Sequence, residues 1–319
     1  MKRNVLILSA GRRVELIEAF QEELKKRVSG GLVYAVDSNP ALSAACHVAD
    51  GSFAVPKVTD AEYVNRLLEL CLQKDIGLVI PTIDTELLPL SDVRRRFEED
   101  DINIIVSSPE IVRQCRDKRK TSALFEKIGI FYPEIYSREA IKYPCFAKPY
   151  DGSCSVGASI VESQDQLNPT ILQDEKIIFQ RLIGKEYNEY TVDAYYDRTG
   201  VLRCLVPRER IEVRAGEVNK GVTRKNNLYE YLLPRLTLIK GFKGCITFQF
   251  FANIKEELYY GLEVNPRFGG GYPLSYTARA NYPGWLIDEY YAGCSVDFFD
   301  GWEEDMLMLR YDAKVIVHA

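Results

Sequence analysis

The chain has 319 residues, 46% hydrophobic and 27% charged, with a formal net charge of -5 at pH 7. That length exceeds what one compact core usually supports, so two or three lobes with clefts between them are expected. The composition excludes disordered and fibrous classes and the acidic balance argues against a nucleic-acid or anionic-membrane surface, while two histidines, His47 and His318, are too few for a histidine-built zinc site or a Ser-His-Asp triad.

The chain runs into an apolar strand pattern at Val5–Leu8 after two basic residues, with no leader-type segment and no apolar run of about 18 residues, so a cytoplasmic protein without a membrane span is expected. A helix from Val14 to Arg27, a strand Leu32–Val36, a helix from Ala61 to Gln73 and a strand Leu78–Ile80 follow. Short buried strands separated by helices predict a parallel, doubly wound sheet. Ser9-Ala10-Gly11 closes the first strand and Asp37 the second, as in a dinucleotide fold, but one glycine stands where that fingerprint needs three. A nicotinamide-dependent oxidoreductase is therefore the alternative, not the first reading. Thr82, Asp84 and Glu86 lie at the carboxyl end of a strand, where open sheets line their ligand crevice. They either recognise an amine-bearing part of a substrate or cap the next helix.

A second part begins near Ser108-Pro109, where a helical pattern carries Asp117, Lys118 and Lys120. The strand Tyr143–Pro149 leads into a loop with Gly152, Ser153, Ser155 and Val156, and then to Ala158–Val161. The N–H and hydroxyl groups of such a loop can close over phosphates while Lys148 supplies a point charge, although the order is not that of a P-loop. Cys154 within it reads as a tolerated small residue. The eight cysteines form no C-x-x-C pair and read as reduced core thiols.

From Lys176 onward the pattern is antiparallel: Ile177–Gln180, Glu189–Tyr196, Val201–Val206, Cys245–Ala252 and Leu258–Val264, with a hairpin turn at Asp197–Gly200. The class is α/β followed by α+β. Arg208 and Arg210 alternate toward one face, with Lys220 and Arg224 beyond, and Gly216 and Gly221 suggest a loop that moves on ligand binding. Strand alternation puts Glu263 and Asn265 on one face, where a carboxylate and an amide oxygen can address one hard cation, with Gln249 facing them from the preceding strand. Pro266 stops the strand, and Arg267 emerges where a transferring phosphoryl group needs positive charge.

Together these residues resemble the ATP-grasp superfamily, and within it the large subunit of carbamoyl phosphate synthase and its stand-alone relatives. The likeness covers most of the chain and is carried by Glu263-Val264-Asn265-Pro266-Arg267 and by the order Lys118, Lys148, glycine-rich loop, apolar hinge, Glu263 and Asn265. It implies a Rossmann-like pre-ATP-grasp domain over residues 1–108, an ATP-grasp small lobe over 109–183 and a large catalytic lobe over 184–319. It further implies that Lys118 and Lys148 contact ATP phosphates under the loop of Gly152, Ser153, Ser155 and Val156, and that the backbone of Gln180, Arg181, Leu182 and Ile183 reads adenine. Glu186 or Glu189 would bind ribose, Glu189 fitting the family strand better. Gln249, Glu263 and Asn265 would hold magnesium, with manganese as a substitute, and Arg267 would meet the γ-phosphate or acyl phosphate, with Arg208 and Arg210 adding catalytic charge. Two departures stand out: Gln180 begins the hinge where many relatives have glutamate, and Gln249 stands where many use an acid.

The function implied is that of a ligase forming a C–N bond, in which MgATP phosphorylates a carboxylate to an acyl phosphate that an amine captures, leaving ADP and phosphate. Its partners would be a small carboxylate and an amine, without nucleic acid or membrane, and a homo-oligomer is left open. A non-catalytic ATP-responsive binding module is the non-enzymatic alternative.

Overall fold

The computed structural model describes residues 2–152, 157–167, 169–214 and 216–318. Strand β1 (Asn4–Ile7) is buried along its whole length, as a central parallel strand must be, and helix α1 (Val14–Arg27) follows. Leu16, Ile17, Phe20 and Leu24 give α1 its buried face, while Glu15 in the first turn and Lys25, Lys26 and Arg27 in the last complement the helix dipole. Then come β2 (Val33–Asp37), α2 (Ala44–Val48), β3 (Gly51–Ala54), α3 (Tyr63–Gln73), β4 (Ile76–Ile80), α4 (Asp84–Glu98) and β5 (Asn103–Ile104). The five strands make one parallel sheet in the order β3-β2-β1-β4-β5. The order reverses between β1 and β4, so the loops after these two strands lie side by side, the position where such sheets hold ligands.

Helices α5 (Pro109–Arg116) and α6 (Lys118–Lys127) lead to a small antiparallel sheet of β6 (Ile135–Tyr136), β7 (Cys145–Pro149), β8 (Ser159–Val161) and β9 (Ile177–Arg181), with α7 (Pro169–Gln173) before its last strand. Ser108 and Asp117 cap α5 and α6, each side chain accepting an N–H of the first turn. A six-stranded antiparallel sheet follows, built from β10 (Asn188–Tyr196), β11 (Leu202–Arg214), β12 (Glu217–Thr223), β13 (Gly244–Asn253), β14 (Leu258–Asn265) and β15 (Leu307–Leu309), in the order β14-β13-β10-β11-β12-β15. Helices α8 (Asn227–Leu236), α9 (Tyr272–Thr277) and α10 (Tyr282–Tyr291) complete it.

The small sheet has its own core of Cys145, Ala147, Val161 and Phe179. The parallel sheet and the six-stranded sheet instead share one continuous apolar core, running from Val5, Ile7 and Phe20 to Val192, Phe248 and Val264. Phe125 of α6 enters that same core, 5.8 Å from the ring of Phe250. Polar contacts reinforce the junction, since Glu23 of α1 accepts from Asn281 at 2.7 Å and Tyr291 donates to the Asn4 carbonyl at 2.6 Å. One firm body is thus built from the first and last parts of the chain, and the small sheet stands against it with little shared core. Six cysteines, at 46, 71, 115, 145, 204 and 245, are free and buried, and Cys294 is free and exposed. Cys154 lies outside the described residues. Among the described residues no helix is long and apolar enough to cross a membrane.

Candidate functional site

A cleft of about 970 Å³, open to solvent, runs between the small sheet and β13–β14. Its apolar walls come from Phe146, Ile160, Leu182, Phe251 and Leu262. The alternation of β7 puts Phe146 and Lys148 on one face, and that of β13 does the same for Gln249 and Phe251. Gln180, Arg181, Leu182 and Ile183 all line the cleft. The ladder with β7 ends at the pair Cys145 and Arg181, so the backbone groups of Leu182 and Ile183 lie beyond the sheet and remain available for a ligand. An apolar slot edged by free backbone donors and acceptors suits a flat heteroaromatic base.

Polar groups gather at the other end. Lys118, Lys148, Gly152, Glu189, Gln249 and Glu263 line the same cleft. Lys118 is buried, lies 3.9 Å from Glu263 and donates to the Gly152 carbonyl. Desolvation, with repulsion from Lys118, brings the Lys148 ammonium down from its ordinary value of 10.5 to about 8, and Glu263 only partly opposes this. Burial also lowers the Lys118 ammonium, again against Glu263. Two partly desolvated cations sharing one carboxylate make a place where an anion is wanted. Ser153, Ser155 and Val156, expected over the phosphates, lie outside the described residues.

Gln249 sits directly opposite Glu263 in the β13–β14 ladder, and Asn265 donates its amide N–H to Glu263 Oε1 at 3.0 Å. The Asn265 amide oxygen is thereby turned away from the carboxylate, and a bulge at Leu262 of β14, where Gln249 and Phe250 face Glu263 and Gly261, re-aims that strand beside the site. Among the described residues no group of three or more His, Cys, Asp or Glu gathers as a metal cage. One carboxylate beside two amide oxygens fits magnesium only where phosphate and water complete its shell, as that ion prefers. The donor set therefore fits a metal that arrives with a polyphosphate.

A second, smaller pocket, open to solvent, continues from Lys118, Glu263 and Asn265 to Asp84 of α4 and Arg116 of α5. There Arg267 Nη2 meets Asp84 Oδ2 at 2.6 Å, while Arg267 Nε is buried without a partner among the described residues. Asp84 thus stands at the site, and its partner is the arginine rather than a backbone cap. Thr82 and Glu86, its sequence companions, do structural work instead. Glu86 is fully buried and accepts from Thr82 N at 2.7 Å, Ile83 N at 3.1 Å and Ser9 Oγ at 2.8 Å, and the Thr82 hydroxyl donates to the Leu8 and Ser9 carbonyls. Both are fully buried, so neither side chain is presented to a substrate.

Several expected site residues are placed elsewhere. Arg208 is buried against Asp193, with bonds of 2.8 and 3.1 Å, on a network with Ser275 and Thr247, and the Thr247 hydroxyl holds the Arg267 carbonyl at 3.0 Å. It braces the strand end from behind and does not reach the cleft. Arg210 pairs with Glu189, so it acts on the cleft only through that acid. Burial raises the Glu189 carboxyl, an effect opposed by Arg210 and reinforced by Glu263. Glu186 is exposed, away from the cleft lining, and its carboxylate folds against Gly184. Lys220 pairs with Glu212, and Arg224 with Glu209 and Asp305, so the suspected cationic group does not converge. Gly221 lies within β12 opposite Arg210, in a hairpin rather than a free loop. The triple glycine after Arg267 has a packing reason: a Cβ at Gly271 would collide with the Arg208 guanidinium, and one at Gly270 would stand 3.0 Å from Glu217. The dinucleotide alternative loses its acid, because Asp37 accepts from Gly11 N at 3.1 Å. Sequence reasoning missed Arg116 and Arg13. Nothing local distinguishes them from solvated arginines, because their surroundings come from distant parts of the chain.

Comparison with known proteins bears on the fold. Residues 5–105 match the PylC-like N-terminal domain family, and residues 174–306 match a family described as ATP-grasp in the biosynthetic pathway with Ter operon. Carbamoyl-phosphate synthase of Methanobrevibacter smithii is 24% identical over 242 residues, which span 69% of this chain and 64% of that protein. The biotin carboxylase domain of Hydrogenobacter thermophilus 2-oxoglutarate carboxylase, solved with MgADP, ADP and bicarbonate, superposes with a TM-score of 0.73 at 15% identity, covering 96% of this chain and 73% of that one. The N5-carboxyaminoimidazole synthetase of Staphylococcus aureus, solved with ADP, gives 0.70 at 15% identity, covering 89% and 76%. The chain has the ATP-grasp fold.

Proposed function

We propose that this chain of ATP-grasp fold is an ATP-dependent carboxylate–amine ligase, which phosphorylates a carboxylate with MgATP and hands the acyl phosphate to an amine, leaving ADP and phosphate. The observation that carries the reading is the gathering of Lys118, Lys148, Gln249 and Glu263 at the polar end of a cleft whose other end is apolar and edged by Leu182 and Ile183. The resemblance to carbamoyl-phosphate synthase and the fold shared with nucleotide-bound carboxylases and synthetases support it.

In this reading the apolar slot takes adenine, Glu189 takes ribose, and the two lysines neutralise the triphosphate. Gln249, Glu263 and Asn265 would hold magnesium, which supplies charge neutralisation on the phosphoryl group being transferred. Arg267, held by Asp84 with its Nε free, is oriented to stabilise the charge on the carboxylate and its phosphorylated product. Positioning and charge carry the catalysis, so no histidine base is needed. Small carboxylates and amines are the partners, and homo-oligomerisation is compatible with the fold.

The test is ADP release by the purified protein, with magnesium and ATP, across a panel of small carboxylates and amines. Turnover stimulated by a carboxylate and abolished by Glu263→Gln is expected. ATP binding with no stimulated turnover across the panel would favour the binding-module reading, and tight NADH binding without ATP binding would overturn both.

A further inference from the structure

Beside the Arg267 site lies a small cleft, open to solvent, that no part of the nucleotide reading uses. Its walls come from opposite ends of the chain: Arg12 and Arg13 from the loop after β1, Glu15 from the first turn of α1, Glu217 from the start of β12, Gly269 and Gly270 from the turn after β14, and Arg310 from beyond β15. The glycines matter because a Cβ at Gly270 would approach Glu217 and narrow the cleft.

The charges in this cleft are unequally matched. Arg310 pairs with Glu217 at 3.1 Å, and Arg267 pairs with Asp84 at 2.6 Å, so these two acids are engaged, while Glu15, the other acid of the cleft, is exposed to solvent. Arg13 has no carboxylate within ion-pair distance among the described residues, and its guanidinium donates to the Thr82 carbonyl at 3.3 Å. Its guanidinium is nevertheless partly withdrawn from water, and Arg267 is close enough to repel it. Desolvation first, and then Arg267, bring Arg13 down from 12.5 to about 10, against the pull of Glu217 and Asp84. A desolvated, unpaired guanidinium costs free energy unless an anion completes it, and its planar fork is matched to a carboxylate.

We infer that Arg13, assisted by Arg12 and Arg310, forms an anion subsite for a carboxylate other than the one being phosphorylated at Arg267. This rests on the ligase reading, and narrows its substrate class to ligands with a second carboxylate. That group is borne either by the acid substrate, as in a dicarboxylate, or by the amine, as in an amino acid. The β1 loop occupies the switch point of the parallel sheet, and Arg13 is the residue that reaches from it toward the catalytic arginine.

The test compares wild type with Arg13→Met and Arg13→Lys, by calorimetry and thermal shift in the presence of magnesium and ATP. The ligands are glutarate and succinate, the amino acids alanine and lysine, and two compounds with one functional group each, propionate and propylamine. Arg13→Met should weaken a dicarboxylate or an amino acid at least about tenfold while leaving propionate, propylamine and MgATP affinity unchanged, and Arg13→Lys should recover part of the loss. Whether the dicarboxylates or the amino acids respond identifies the ligand that carries the anion. Unchanged affinity in Arg13→Met, or no saturable binding of any dicarboxylate or amino acid to wild type, overturns the subsite. Absence of MgATP binding would instead overturn the ligase reading.

Discussion

Lys148 shows at the residue scale how a site stores unfavourable free energy for its ligand. Its pKa, about 8 in the folded protein against 10.5 ordinarily, means that the folded state resists the charge. The penalty, at most about 3 kcal/mol, is complete below pH 8, where both states are protonated, and is relieved as pH rises toward 10.5, where only the unfolded chain keeps the proton. Stability should therefore rise with pH across that window, and Lys148→Met should flatten the rise and increase the melting temperature at pH 7. The same variant should lose most of its ATP affinity, and ATP binding to wild type near pH 9 should take up protons, read as a dependence of calorimetric heat on buffer. A melting temperature lowered by Lys148→Met would show that the lysine is structurally satisfied instead. Glu263→Gln keeps shape and removes charge, so it should abolish turnover in a protein that still folds, with a lower melting temperature because Lys118 and Lys148 lose the carboxylate they share, while the buried Val264→Ala should cost about 1 kcal/mol or more and leave magnesium dependence alone.

At the scale of elements, the strand end carrying Glu263, Asn265 and Arg267 is held from behind rather than by its own residues. Arg208 on β11 reaches Asp193 on β10, Thr247 on β13 binds the Arg267 carbonyl, and the glycine run leaves room for these side chains. Breaking a buried ion pair typically costs roughly 3–5 kcal/mol, so Arg208→Met should lower stability strongly by chemical denaturation. Unchanged stability with lost turnover would return Arg208 to the catalytic group. Gly271→Ala should also destabilise, by about 1–3 kcal/mol, since its Cβ would lie 2.6 Å from Val218 as well as against Arg208.

For the whole molecule, the shared core makes the parallel and six-stranded sheets one body, with the small sheet standing apart on its own four-residue core. Ligand closure should therefore be movement of the small sheet. MgATP, bridging both walls of the cleft, should raise the melting temperature, by about 2.7 kcal/mol of stability at 100 times its dissociation constant, whereas NADH should not. Amide exchange should report protection concentrated in residues 135–181 on MgATP binding. Protection confined to the loop after β1 would point back to the dinucleotide alternative.

The sequence by itself determined the alternating strands and helices of the first lobe, the main strands of the antiparallel part and the strongest local cluster. The buried runs at β1 and β4, the period of α1 and the pair Glu263 and Asn265 are written in spacings of two and of three to four, which local backbone geometry reads directly. Even the cleft's Lys148 followed from its place at a strand end. Only the tertiary structure decided which charges are free. Arg208, Arg210 and Arg13 look alike in sequence, and they part company because Asp193 and Glu189 pair with the first two, while Glu217 and Asp84 near Arg13 are taken by Arg310 and Arg267. Thr82 and Glu86 turned structural for the same reason, through the β1 loop brought beside them by the sheet order. A side chain's role is set by the partner it meets, and partners dozens or hundreds of residues apart meet only when the chain has folded.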